Sequence, residues 1–107
     1  MKRCIVGIRH PDQPEVTLTG KDTPTIWFAS MASLAAVLSE DNRALLHVIR
    51  EAKPRSLTEL AELTGRKLPN LSRTIKTMAS YGLVDLIRDK GEVRPTVRAT
   101  AFTVLLD

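Results

Sequence analysis

Ser56-Leu57-Thr58-Glu59-Leu60-Ala61-Glu62-Leu63-Thr64-Gly65-Arg66-Lys67-Leu68-Pro69-Asn70-Leu71-Ser72-Arg73-Thr74-Ile75-Lys76-Thr77-Met78-Ala79-Ser80-Tyr81-Gly82-Leu83-Val84 holds the pattern from which the rest of the chain can be placed. Its first four residues match S-x-x-E, in which a serine hydroxyl and a glutamate carboxylate each satisfy an orphan backbone donor at a helix start. The helix they open turns Leu57, Leu60, Ala61 and Leu63 toward a core, and Gly65 supplies its stop. Pro69 suits the first position of a second helix. There Leu71, Ile75 and Met78 recur at helical spacing and face inward, leaving Asn70, Arg73 and Thr77 on an outer face. Gly82 ends that helix, and beyond it the apolar period changes to two. Only Gly65 to Leu68 separates the two helices. So short a connection forces a steep crossing and leaves the leading end of the second helix protruding.

Two more helices are predicted upstream. Ser30 can cap a short one whose apolar positions are Met31, Leu34, Ala35 and Leu38. Ser39 caps the next, in which Leu45, Val48, Ile49 and Ala52 repeat the spacing until Pro54 ends it. Downstream, Leu83 to Arg88 reads as a strand, Asp89-Lys90-Gly91-Glu92 as a turn, and Val93 to Ala99 as the returning strand. Pro95 within that run calls for an edge strand or a bulge. Phe102, Val104 and Leu106 alternate, so Thr100 to Leu106 is a final strand. The first 25 residues differ in character. Lys2 to Arg9 reads as a strand with Cys4, Val6 and Ile8 on one face, Val16-Thr17-Leu18 as a second short strand, and Thr23 to Phe28 as extended chain. No repeat or low-complexity tract is present.

With 107 residues and 43% apolar composition this is one domain, and with four aromatic residues its core must be aliphatic. A single cysteine, Cys4, excludes an internal disulfide and a cysteine-rich zinc site, and reads as a small strand hydrophobe. His10 and His47 are too far apart in sequence for a metal cluster, so no metal and no cofactor are expected. The least polar stretch, Ile26 to Leu38, is shorter than the roughly 20 residues of a membrane span. Met1 to Ile8 lacks the features of a signal peptide. A cytoplasmic protein without a membrane partner is the expectation. No phosphate loop, nucleophile elbow or carboxylate pair is present, which argues against an enzyme.

The charge is unevenly placed. Sixteen Lys and Arg against twelve Asp and Glu give a net +4. Gly65 to Gly82 holds Arg66, Lys67, Arg73 and Lys76 with no acid, and so accounts for the whole excess. A basic segment in an otherwise balanced chain focuses its field on one surface and points to a polyanion. On a protruding helix, Arg73 can pair with guanine and Asn70 with adenine through two hydrogen bonds each, which makes them the candidate base contacts. Arg66, Lys67, Ser72, Lys76, Ser56 and Thr58 suit phosphate oxygens. Arg88, Lys90 and Arg94, around the hairpin tip, can reach the flanking backbone or the minor groove.

The order of helix, capped helix, tight turn, basic helix and hairpin resembles winged helix-turn-helix regulators of the MarR/ArsR kind. The residues that carry the resemblance are Leu57-Thr58-Glu59-Leu60-Ala61, Thr64-Gly65, Asn70-Leu71-Ser72-Arg73 and Tyr81-Gly82-Leu83-Val84. The whole chain is similar to small prokaryotic predicted winged-helix regulators with a Phe-x-Ser helix start, here Phe28-Ala29-Ser30, and an Arg-Pro pair after the wing, here Arg94-Pro95. The resemblance implies an α+β fold, mainly α: a winged helix-turn-helix with a β-hairpin wing and extra terminal strands. It implies three parts: an N-terminal strand and extended dimerisation segment at 1–29, the DNA-binding domain at 30–99 and a C-terminal strand at 100–107. Its implied function is a sequence-specific regulator that binds double-stranded DNA. The alternative is an antitoxin that binds a toxin protein and represses its own operon.

One helix-turn-helix reads too few base pairs to find one site in a genome, so a homodimer is expected. The chain lacks the long helix after the wing that many MarR and ArsR dimers use. Apolar residues not assigned to DNA therefore become the candidate interface: Val6, Ile8, Trp27, Phe28, Leu34, Phe102 and Val104. The terminal strands pair either across a two-fold axis or within one chain.

Overall fold

The computed structural model describes residues 4–8 and 25–106. Lys2, Arg3, Arg9, His10 and the short strand expected at Val16-Thr17-Leu18 lie outside the described residues. The fold is α+β and weighted to helix. Its order is β1 (Cys4–Ile8), β2 (Ile26–Phe28), α1 (Met31–Val37), α2 (Glu40–Ala52), α3 (Leu57–Thr64), α4 (Leu68–Ser80), β3 (Val84–Asp89), β4 (Glu92–Val97) and β5 (Phe102–Leu105).

Both ends of the chain meet in one three-stranded sheet, with β1 at its centre and β2 and β5 parallel to it on either side. Of the two pairings open to the terminal strands, the intrachain one is observed. Val6 lies opposite Ile26 on one side and Val104 on the other, and Cys4 lies opposite Phe102. Paired residues share a face, and on this face Val6, Ile26 and Phe28 are buried among the helices. Phe28 stacks on Tyr81 with ring centroids 4.6 Å apart, which ties the sheet to the end of α4.

Serines start three of the four helices as the spacing requires. The side chains of Ser30, Ser39 and Ser56 accept hydrogen bonds from the backbone N–H of Ser33, Asn42 and Glu59 at 3.1, 3.2 and 3.1 Å. Only half of the expected capping box forms, because no return bond from Ser56 N–H to Glu59 is found among the described residues. Gly65 ends α3 with φ 73°, a left-handed conformation that glycine adopts without steric cost. At the end of α4 the Leu83 N–H donates to Met78 and the Gly82 N–H to Ala79, both at 3.0 Å. That pairing is a Schellman motif, with Gly82 in the left-handed position and Leu83 and Met78 both buried.

The core stripes differ from the expected ones where helices are short. In α1 the buried positions are Leu34 and Val37, followed by Leu38, so Met31 is left 53% exposed and Ala35 lies outside. In α2 Leu46 joins Leu45 and Ile49 in the core, while Ala52 is exposed because the helix ends there, at a left-handed Lys53. In α3 Leu60 is buried and Leu57 and Ala61 pack beside it; Leu63 points to solvent. In α4 Pro69 is the second residue, since the helix begins at Leu68. Its stripe of Leu71, Ile75 and Met78 is fully buried, as the spacing predicts.

Lys90 and Gly91 join β3 to β4 with φ of 52° and 80°, the signature of a two-residue type I′ turn. Each strand therefore runs one residue further into the turn than expected. The register from Val84–Asp89 to Glu92–Val97 is unbroken, so Pro95 sits on an edge strand and not at a bulge. Counting outward from a two-residue turn, hydrogen-bonded and non-bonded pairs alternate. Pro95, opposite Leu86, falls in a non-bonded pair, where its missing N–H costs the ladder nothing. Arg98 holds Asp85 through two bonds of 2.9 and 3.1 Å and fixes the base of the hairpin. That carboxylate raises the Arg98 guanidinium above its usual value, by its hydrogen bond first and its charge second. Among the described residues no helix is long and apolar enough to cross a membrane.

Candidate nucleic-acid interface

Burial of Leu71, Ile75 and Met78 decides which way α4 presents its other side chains. Residues two positions before these three, Pro69, Arg73 and Lys76, point the opposite way and are exposed. Asn70 and Thr77 flank that stripe and are exposed too. Lys67 takes the N-cap position of α4 without a side-chain cap bond, and the first turn carries no acid. Among the described residues none of Lys67, Arg73 and Lys76 has an ion-pair partner. The result is a helix face that offers charged donors and no competing carboxylate.

Arg66 is placed differently from its neighbours. Its guanidinium donates to the Asp41 carbonyl at 2.8 Å and the residue is half-buried, so it ties the α3–α4 turn to the start of α2. It is a structural anchor that also carries charge at the edge of the basic face. Ser56, Thr58 and Ser72 are brought together although up to sixteen positions separate them in sequence. They border a shallow cleft of about 300 Å³ between α3, α4 and the hairpin tip, with Leu68 and Gly91 on its rim.

The hairpin separates the three cations expected to act together. Arg88 lies opposite Val93, and Arg94 opposite Ile87, which puts Arg88 and Arg94 on opposite faces of the ribbon. Asp89 faces Glu92 directly at the tip, beside Lys90. Arg94 borders a separate cleft of about 580 Å³ near the end of α2, together with Arg50, Lys53 and Glu51. No local spacing groups Arg50 and Lys53 with Arg94. Asn42 is a further residue outside the expected set. Its amide donates to the carbonyls of Ala36 and Val37 at 3.3 and 3.1 Å, and it shares a recess with Arg73 and Thr77. The S-x-x-N spacing from Ser39 is the one signal that marks it.

Of the residues expected at a dimer interface, Val6, Phe28 and Leu34 are buried in this chain's own core and have no area to give a second chain. Val6 and Phe28 lie on strands paired within the chain, and Leu34 packs from α1 into the same core. Ile8 and Phe102 pack at the core's edge, Trp27 is half-buried, and Val104 remains 41% exposed. Cys4 is half-buried, with its sulfur 3.5 Å from Thr25 Oγ1. His47 is exposed, and no group of three or more metal-ligating side chains occurs among the described residues.

No curated protein matches the chain. The crystal structure of the predicted DNA-binding transcriptional regulator from E. coli is similar, with a TM-score of 0.54 at 23% identity. The likeness covers 64% of this chain and 74% of that one, and at such identity it bears on the fold. A family model matches residues 37–104, from the end of α1 into β5 and more than half of the chain, so the chain belongs to the HVO_A0114 family.

Proposed function

We propose that this protein is a sequence-specific, double-stranded DNA-binding transcriptional regulator of winged helix-turn-helix build, with α4 in the major groove. The observation that carries this reading is the outer face of α4, where Arg73 and Lys76 stand exposed, without an ion-pair partner among the described residues, in a segment that has no acid. A surface of that kind is complementary to a polyanion along its length. Residues 30–99 form the DNA-binding unit. Asn70 and Arg73 contact bases; Lys67, Lys76, Thr58, Ser56 and Ser72 contact phosphates on either side of the groove. Arg66 contributes from its anchored position, and the hairpin cations Arg88, Lys90 and Arg94 add to the general field. The similarity to a structure described as a predicted DNA-binding transcriptional regulator supports the same reading.

The working species in this proposal is a homodimer. Val104 on β5 and Leu106 just beyond its end are 41% and 57% exposed, and the outer edge of β5 is open among the described residues. A second copy pairing there covers both edges and doubles the sequence that is read. The test is selection of bound duplexes from a random pool. A palindrome with half-sites about 34–36 Å apart is expected. Failure to enrich any duplex over a scrambled control contradicts the function, and enrichment of a lone half-site by a monomer contradicts the dimer.

A further inference from the structure

An exposed leucine alone needs no explanation. Leu68 and Pro69 are different because of where they stand: adjacent, both exposed, and at the leading turn of the one acid-free cationic helix among the described residues. Leu68 is 41% exposed on the side toward Ser72 and the hairpin tip. Pro69 aligns with Arg73 and Lys76 on the outermost stripe, at helical spacings of four and three. Proline has a structural reason to stand in the first turn of a helix, so what sets the pair apart is that two apolar side chains stand exposed side by side between Lys67 and Asn70.

The floor of the major groove shows one apolar group, the C5 methyl of thymine; the other groups that distinguish the base pairs there donate or accept hydrogen bonds. We propose that Leu68 and Pro69 together read a thymine methyl next to the base contacted by Asn70. This rests on the DNA-binding reading above and gives it a base identity. The surrounding cations hold the phosphates, so the apolar pair is carried into the groove by charge complementarity and gains only where a methyl is present. Its contribution is to specificity and not to general affinity.

The experiment uses the full-length protein and the duplex selected from the random pool. Each thymine is replaced in turn by deoxyuridine, which keeps pairing and the O4 acceptor and deletes only the methyl. Wild-type protein should lose about fourfold in affinity at one thymine per half-site, the worth of one buried methyl group. Leu68→Ser/Pro69→Ser should bind the thymine and deoxyuridine duplexes equally, with an unchanged salt slope on random DNA, since no charge is altered. A wild-type protein indifferent to every substitution overturns the inference without touching the DNA reading, and so does a double variant that keeps the preference. Should the double variant lose its helix content, the wild-type series decides alone. Absence of any selected duplex overturns the inference together with the reading it rests on.

Discussion

Helix α4 and the hairpin β3–β4 adjoin each other, yet their charges are arranged by different rules. The stretch from Gly65 to Gly82 carries four cations and no acid. The hairpin, from Val84 to Val97, carries three cations and three acids, with Asp89 set directly against Glu92. Packing differs in the same sense. One whole stripe of α4 is fully buried, whereas the distal hairpin leaves Leu86 and Ile87 more than a third exposed. A rigid helix with an uncompensated charge can hold a polyanion in a fixed register. A neutral ribbon whose base is fixed by Arg98 and Asp85 serves as a flank. On the proposed function, this difference puts most of the binding free energy on α4.

The largest expected effect attacks the packing that makes α4 rigid. Ile75→Ala removes a fully buried side chain and should cost about 2–5 kcal/mol in urea unfolding, against within about 0.5 kcal/mol for Ile87→Ala in the hairpin. Similar losses at the two positions would erase the contrast. Next, Arg73→Ala should weaken binding to the selected duplex by about 1–3 kcal/mol and relax preference at one base pair, with a smaller loss on random DNA. An equal loss on both would make Arg73 a phosphate contact. Ser56→Ala deletes the oxygen that accepts the Glu59 N–H and should cost about 1 kcal/mol of stability in the same unfolding assay. An unchanged midpoint would mean that the cap is replaced by solvent. Smallest is Asp89→Asn at the hairpin tip. Removing one of two facing carboxylates should stabilise by roughly 0.2–1 kcal/mol and raise DNA affinity slightly. A fall in affinity would show that the acidic tip contributes to recognition.

What is legible in the sequence is what depends on neighbours in the chain. The three serine caps, the Gly65 stop, the buried stripe of α4 and the turn at Lys90-Gly91 all follow from local spacing. Short helices are less legible. Over seven residues a stripe has two turns at most, so Met31 and Leu38 compete for the core and only the later one is buried. Pairings between distant residues are not legible at all. Nothing in the pattern of Cys4 to Ile8 says that its partners are Ile26 to Phe28 and Phe102 to Leu105, both parallel. That pairing is why Val6 and Phe28 are core residues instead of interface residues, and Leu34 is buried on α1 in the same core. The candidate DNA-facing residues divide in the same way. Helical spacing puts Asn70 and Arg73 on the outer side of α4, but the Arg66 bond to Asp41 spans 25 residues and the grouping of Arg94 with Arg50 spans more.

The contrast between helix and hairpin reduces to one quantity, the slope of log affinity against log salt for random duplex DNA. Removing one phosphate-neutralising cation should flatten that slope by about 0.9. Two triple variants carry equal changes in net charge: Lys67→Ala/Arg73→Ala/Lys76→Ala on α4, and Arg88→Ala/Lys90→Ala/Arg94→Ala on the hairpin. The helix variant should flatten the slope by between about 2 and 3, and the hairpin variant by about 1 or less. Equal flattening by both, or a larger effect from the hairpin, would contradict the placement of the DNA-binding surface on α4.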